Sequence, residues 1–377
     1  MDLIWFPTGG GKTEAYLGLS AFVIFLRKLI DPNKTGNAVI MRYTLRLLTT
    51  QQFLRASTLI CACEKLRCEN EDKLGKNEIG IGLWIGGEAT PNTEDQAKKI
   101  LDSLHNQYSN LENKFLVINC PWCGAVMGPD ATNYISGFIP GYRKEKKIFV
   151  FSCENEKCNF SHKNNKNLPI DVIDERIYKK SPDLIIGTID KFATLPWRSE
   201  AIDCFTSNEN KNSTDLIIQD ELHLISGPLG SVSGMYEICI KALTEKKIDN
   251  KVISAKIVGS TATISRAETQ ISSLYGTKCS IFPSQTNQLE DSFFSYEKKD
   301  DDGRKYVGIF CQSSTSPQIT LSKVIASLLV NTKIFSIESK NNYKIFDPYW
   351  TQVIYFNSIR ELMSGASLVY DDVDGEK

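Results

Sequence analysis

Three separated runs, Pro7-Thr8-Gly9-Gly10-Gly11-Lys12-Thr13, Asp220-Glu221-Leu222-His223 and Ser260-Thr261-Ala262-Thr263, carry the residue types needed to hold and split a nucleoside triphosphate such as ATP. Consecutive glycines leave backbone N–H groups free to surround phosphate, Lys12 adds a positive charge, and Thr13 offers a hydroxyl to Mg²⁺. Thr8, Gly9, Gly10, Gly11, Lys12 and Thr13 are therefore the expected nucleotide-binding residues. Asp220 is the expected Mg²⁺ ligand, directly or through water, and Glu221 the expected base or water-orienting group. His223, two residues beyond Glu221, is placed in the same catalytic set as a coupling residue. Strict G-x-x-x-x-G-K-[ST] begins with glycine, whereas this chain has Phe6 there. The loop is supported instead by its context: apolar Leu3-Ile4-Trp5 enters it and Thr13 opens a long apolar helical run.

A second chemistry lies in Cys120-Pro121-Trp122-Cys123-Gly124 and Cys153-x4-Cys158. Paired thiols in a turn ending in glycine, with a second pair some thirty residues on, suit tetrahedral Zn²⁺ held by Cys120, Cys123, Cys153 and Cys158, with His162 as an alternative fourth ligand. The expected role is to staple a segment with little core of its own. No thioredoxin-like strand and helix flank the pair, which disfavours a redox role. Cys61, Cys63 and Cys68 read as small buried hydrophobes on a helix.

For nucleic acid, the better candidates are Thr44 and Arg46, and Thr188 and Lys191. Each pair follows an expected strand, where hydroxyls, amides and charge can grip a strand's phosphates without reading bases. Arg143 to Lys147, beside Phe149 and Phe151, reads first as a solvated hairpin and second as a phosphate contact.

These residues need a scaffold, and the chain's 377 residues, 41% of them hydrophobic, can supply more than one core. Lys and Arg number 44 against 45 Asp and Glu, a net charge of −1, so any nucleic-acid contact must be a local groove. Ile4-Trp5-Phe6, Val39-Ile40-Met41, Leu184-Ile185-Ile186, Leu216-Ile217-Ile218 and Ile257-Val258-Gly259 are apolar on both faces and separated by helix-length segments. That pattern predicts an α/β fold with a parallel sheet covered by helices. Every run has its chemistry on the carboxyl side, where such sheets collect ligands. The helix from Thr13 to Ile30, apolar almost all round, is expected in the core and stopped at Asp31-Pro32.

Domain boundaries are expected at 1–118, 119–168 (the zinc-binding insertion), 169–282 and 283–377. The last begins with a polar linker and continues through a helix near Leu321 to Val330 and a strand at Val353-Ile354-Tyr355-Phe356. The apolar stretch Ala15 to Leu26 is shorter than the roughly 20 residues of a bilayer span, so no membrane partner is expected. An odd count of eleven cysteines with metal-ligand spacing, and no signal-type segment ahead of it, favours a reducing cytoplasm.

Taken together, the runs resemble the motifs of superfamily 2 helicases of the DExH type. Pro7 to Thr13 resembles motif I, Tyr43 to Gln52 motif Ia, Gly187 to Phe192 motif Ib, Asp220 to His223 motif II, and Thr261-Ala262-Thr263 motif III. Longer strings, among them Trp5 to Tyr16, Leu45-Arg46-Leu47-Leu48-Thr49, CPWCG and Gln219 to Gly230, are similar to the helicase subunit of the bacterial anti-phage system DISARM. Tyr355 to Leu362 resembles a motif IV region. The resemblance implies a RecA-like first domain, the start of a second RecA-like domain, and coupling of hydrolysis to movement through Thr261, Ala262 and Thr263. It also implies Gln51 as a further nucleic-acid contact, DNA as substrate, and a partner subunit of the DISARM core complex. Because no motif V or VI follows, the expectation is an incomplete motor of low turnover. The alternatives are a DNA-repair or RNA helicase, or a nucleotide-binding scaffold that unwinds nothing.

Overall fold

The structure is a computed structural model that describes residues 1–6, 10–106, 113–129, 138–146, 148–248, 250–261, 267–284, 293–294, 305–311, 316–338 and 347–370. It divides into two compact units, Met1–Ser295 and Tyr296–Lys377.

The strands of the first unit are β1 (Asp2–Trp5), β2 (Val39–Tyr43), β3 (Ile81–Trp84), β4 (Tyr142–Glu145), β5 (Ile148–Phe151), β6 (Ile170–Asp171), β7 (Leu184–Thr188), β8 (Leu216–Gln219), β9 (Lys246–Ile248), β10 (Lys251–Ile253), β11 (Lys256–Thr261) and β12 (Ser280–Phe282). Eight of them form one sheet in the order β12-β1-β11-β8-β2-β7-β3-β6, with every neighbouring pair parallel. The α/β class is as expected, and all five apolar runs lie in this sheet. Strands β2, β3, β7 and β8 are buried along their whole length, which is why they read as unbroken apolar runs rather than as alternation. Register aligns their carboxyl ends: Trp5 pairs with Thr261, Gly259 with Gln219, Arg42 with both Gln219 and Gly187, and Tyr43 with Thr188. Residues from distant parts of the sequence thus meet at one edge.

Helix α1 (Lys12–Ile30) follows β1, and α2 (Arg46–Glu69) follows β2. Gly11, the residue before α1, sits at φ +76°, the left-handed region that glycine enters without penalty. The helix ends at Asp31, as expected, but it is not buried all round. Tyr16, Ser20, Ile24, Arg27 and Lys28 form its buried stripe, while Phe22, Leu29 and Ile30 are exposed. Composition alone gave no phase, and the spacing 16, 20, 24, 27/28 is that of one helical face.

The insertion contributes a buried aromatic group to the main core rather than forming a core of its own. Phe115, Tyr142, Phe149 and Phe151 pack together, with Phe115 and Phe149 stacked at 4.1 Å and 8°. Their cluster is continuous with the buried residues of α1, α2 and the sheet. Phe115 and Val117 precede the expected boundary at 119 yet belong to this core.

The second unit has the helices Pro317–Glu338, Asp347–Trp350 and Ile359–Leu368, with Ile325, Ala326 and Leu368 at its small core. The Ser358 side chain accepts from Glu361 N at 3.2 Å and Glu361 Oε2 accepts from Asn357 N at 3.0 Å, a reciprocal cap that starts the last helix. Residues 353–356, expected as a strand, lie in no sheet among the described residues; β-propensity forms a strand only where a neighbouring strand offers hydrogen bonds. Pro317–Ser336, which contains the helix expected near Leu321 to Val330, is the one described helix long and apolar enough to cross a bilayer, with mean hydropathy 1.3.

Candidate nucleotide site and zinc centre

At the carboxyl edge of the sheet, β1 leads into the glycine loop and α1. Thr8 and Gly9 lie outside the described residues, as do Ala262 and Thr263. Lys12 Nζ donates to Phe6 O at 2.9 Å, so the lysine folds back over the loop's entry. Thr13 is one turn from Tyr16, and their hydroxyl oxygens are 3.0 Å apart. Tyr16 OH in turn donates to Asp220 Oδ2 at 2.7 Å. Asp220 follows β8, two strands from β1, and its backbone N–H donates to Arg42 O at 3.1 Å. Thus Thr13 and Asp220, the two expected Mg²⁺ ligands, meet through a single phenol. Hydroxyl and carboxylate oxygens are the hard donors Mg²⁺ prefers, and these residues fit such an ion.

Glu221 takes φ +47°, a conformation that costs a non-glycine residue on the order of 1 kcal/mol. This residue leads from Asp220 directly into the short helical turn Leu222–Leu224. Glu221 Oε2 lies 3.4 Å from His223 Nδ1, and the same nitrogen lies 3.2 Å from Thr261 Oγ1. The structure thereby joins three expected residues, Glu221, His223 and Thr261, across β8 and β11. Burial, followed by the negative charge of Asp220, pushes the Tyr16 phenol well above its ordinary value, so it remains a hydrogen-bond donor across the physiological range. Tyr43, buried beside it, is pushed up by burial and then by Tyr16 and Asp220.

Residues that the sequence reading missed support this edge. Tyr16 was legible in principle, since it is three residues after Thr13 on one helical face. Arg42 was not: it is fully buried, donates through Nη1 to Glu237 Oε1 at 2.6 Å, and faces the Phe192 ring at 5.5 Å. Burial opposes its charge, and Glu237 together with Tyr275 more than offsets that, leaving the guanidinium above its ordinary value. Because removing one partner of a buried pair strands the other, Glu237→Ala is expected to cost about 3–5 kcal/mol. Urea unfolding of the two proteins measures it; a loss below about 1 kcal/mol, the range of an exposed pair, would contradict the burial.

The expected phosphate-gripping residues divide. Arg46 is exposed and paired with Glu88 at 3.1 Å, Gln51 is exposed, and Thr44 is half-buried with its hydroxyl unpartnered. Thr188 and Lys191 are buried, at 2% and 8% exposure. Lys191 Nζ sits 2.6 Å from Asp174 Oδ2 and 5.7 Å from the centre of the Trp84 ring. Lys191 is thus turned inward here, and Thr188 is buried with it, rather than exposed as a phosphate grip would have them. Arg143 likewise binds both oxygens of Glu154, and Phe149 and Phe151 are buried, so the hairpin presents no stacking surface.

Away from this edge, the Sγ atoms of Cys120, Cys123, Cys153 and Cys158 lie within 4.8 Å of one another. Cys120 to Cys158 is 3.9 Å and Cys123 to Cys153 is 3.5 Å. Thiolates at the Zn–S distance of about 2.3 Å in a tetrahedron stand about 3.8 Å apart, so the four residues fit zinc. Backbone N–H groups of Asn155 and Phe160 point at Cys153 and Cys158 Sγ, each at 3.4 Å, as donors to thiolates should. His162 is outside the cluster, its Nδ1 3.5 Å from Glu154 Oε2. Cys61 of α2 adjoins the group: burial first, then Cys120 and Cys158, raises its thiol. Lys65 of α2 faces the Trp122 ring at 5.5 Å. One helix therefore runs from the candidate nucleic-acid contacts at Arg46 and Gln51 to the wall of the metal centre.

No protein-family model matches the chain. A crystal structure of DUF1998 helicase MrfA overlays on 100% of this chain and 36% of that one with 13% identity and a TM-score of 0.44. The same helicase bound to DNA and AMPPNP gives 83%, 32%, 13% and 0.29. At these scores the overlays carry no argument. DISARM protein DrmA of Bacillus paralicheniformis (strain ATCC 9945a / NCIMB 11709 / CD-2) is 37% identical over 99% of this chain, which spans 36% of that protein's length. The resemblance to DISARM read from the motifs thus holds along nearly the whole chain, which is similar to about a third of DISARM protein DrmA.

Proposed function

We propose that this chain binds and hydrolyses ATP with Mg²⁺ as part of a DExH-type nucleic-acid motor, acting on DNA in cytoplasmic anti-phage defence together with a further DISARM subunit. The observation that carries the reading is the meeting of Thr13, Tyr16 and Asp220 beside Lys12 at the carboxyl edge of a parallel sheet. Bound there, Mg²⁺ would neutralise charge developing on the phosphates. Thr13 and Asp220 would hold it, the loop's N–H groups and Lys12 would bind the β- and γ-phosphates, and Glu221 would orient the attacking water. His223, bridging Glu221 and Thr261, would report the state of that water to β11 and the residues after it. Similarity to a DISARM protein supports the defence role.

Nucleic acid would lie along the start of α2, where Arg46 and Gln51 are exposed. Such contacts go to phosphate, so Arg46→Ala should weaken single-strand binding uniformly across sequences and reduce the slope of log K against log salt by about 1. Anisotropy titrations at several salt concentrations check this; an unchanged slope would remove Arg46 from the interface. Zinc would belong to the folded insertion rather than to hydrolysis, since its ligands adjoin the far part of α2. ATP hydrolysis stimulated by single-stranded DNA is the test of the whole reading. Nucleotide binding with no stimulated hydrolysis, in the presence of the partner subunit, would favour a scaffold instead.

A further inference from the structure

Resting on the reading of Thr13 and Asp220 as Mg²⁺ ligands, we propose that Tyr16 is the positioning residue that presets both for the cation. The inference comes from where the protons must lie. An aspartate carboxylate can only accept, so across the 2.7 Å contact Tyr16 OH is the donor and Asp220 Oδ2 the acceptor. The phenol has one hydrogen, now committed. Across its 3.0 Å contact with Thr13 Oγ1 the phenol oxygen must therefore accept, and the threonine hydroxyl must donate. Thr13 is left with oxygen lone pairs and no free hydrogen, the form in which a hydroxyl ligates a metal. The other oxygen, Asp220 Oδ1, accepts from Glu221 N at 3.0 Å, which fixes the carboxylate's plane.

Tyr16 can enforce this order because it cannot move away. Its side chain is fully buried in the core beneath the sheet edge, on the same helical turn as Thr13. The Tyr43 phenol, also buried, lies close to Tyr16 and Asp220 and packs a second ring against this line. The chain Thr13 to Tyr16 to Asp220 is thus a one-way line of donors ending on a carboxylate. Partners that orient metal ligands in this way typically contribute a factor of about 10–100 in metal affinity.

The test uses the full chain and a fluorescent ADP analogue titrated with MgCl₂. Tyr16→Phe keeps the buried ring and removes only the hydroxyl. The expected result is analogue binding in EDTA unchanged within about twofold, with Mg²⁺ affinity of the nucleotide complex reduced about 10–100-fold. Thr13→Ala and Asp220→Asn are measured alongside. If they lose Mg²⁺ affinity and Tyr16→Phe does not, Tyr16 only fills the core and the proposal is overturned. If neither Thr13→Ala nor Asp220→Asn changes Mg²⁺ affinity, the magnesium site itself was misassigned and the proposal falls with it, a different pattern from the first. Should the phenylalanine variant not fold, a fluorinated tyrosine at position 16 retains the shape and makes a stronger donor. Mg²⁺ affinity must then shift, and no shift overturns the proposal.

Discussion

Lys12→Ala is expected to weaken nucleotide binding at least about 30-fold, the lower end of what losing a buried charge-to-phosphate contact of about 2–5 kcal/mol implies. Lys12 brings the side-chain charge to a cradle otherwise made of backbone donors. In the structure its ammonium rests on Phe6 O, one residue ahead of the loop, so it is already at the mouth of the site. Glu221→Gln should behave differently. It keeps the size of the side chain and the left-handed turn but removes the negative oxygen that would orient water, so binding is spared and turnover falls by about 10²–10⁴. Calorimetric titration with Mg²⁺ and ATP separates the two variants from each other. Unchanged binding by folded Lys12→Ala would break the assignment of the glycine loop, whereas unchanged turnover by Glu221→Gln would leave binding intact and move the catalytic role elsewhere.

How much of this site could be read in the sequence depends on how local the signal was. Carboxyl ends of buried parallel strands were legible because β2, β7 and β8 have no polar face to alternate with, and their register then brings Thr261, Asp220 and Thr44 to one edge without further assumption. Tyr16 was one helical turn from a residue already chosen, yet a tyrosine in an apolar helix looks like core, and it is core as well as site. Arg42 and Glu237 are 195 residues apart, and neither spacing nor composition links them. Lys191 misled for the opposite reason. A lysine after a strand end is usually solvated, but here Asp174, itself fully buried, needs a counter-charge and Trp84 offers a ring face, so the ammonium turns inward. Thr188 and Lys191 are therefore both buried, and in the proposed reading phosphate would be met by the exposed start of α2.

Removing zinc should have its largest effect on structure, and a test of that effect also tests the assignment. About one zinc per chain is expected in purified protein, and none in Cys120→Ser/Cys153→Ser, because a four-thiolate site that loses two ligands from opposite pairs has no tetrahedron left to close. The aromatic core of the insertion argues that this variant does not unfold outright: Phe115, Tyr142, Phe149 and Phe151 pack on one another, and their cluster, which also takes in Cys120, Cys153 and Cys158, continues into α2 and the sheet. The loosened part should instead be the CPWCG turn. Trp122, between two ligands, is held by Phe160 at 5.9 Å, by a 3.1 Å bond from Nε1 to Asn159 Oδ1, and by Lys65 of α2. Its fluorescence should shift to the red on chelation or in the double variant, and a Trp122→Phe protein should not show the shift. Since Cys61 and Lys65 lie on the same helix as Arg46, about 22–28 Å along its axis from it at 1.5 Å per residue, a loosened turn should also lower single-strand affinity without touching nucleotide binding. Metal analysis, thiol titration and the two binding assays on one preparation decide the matter. Full zinc content in the double variant, or four freely reactive thiols in the folded unchanged protein, would remove the metal from this centre.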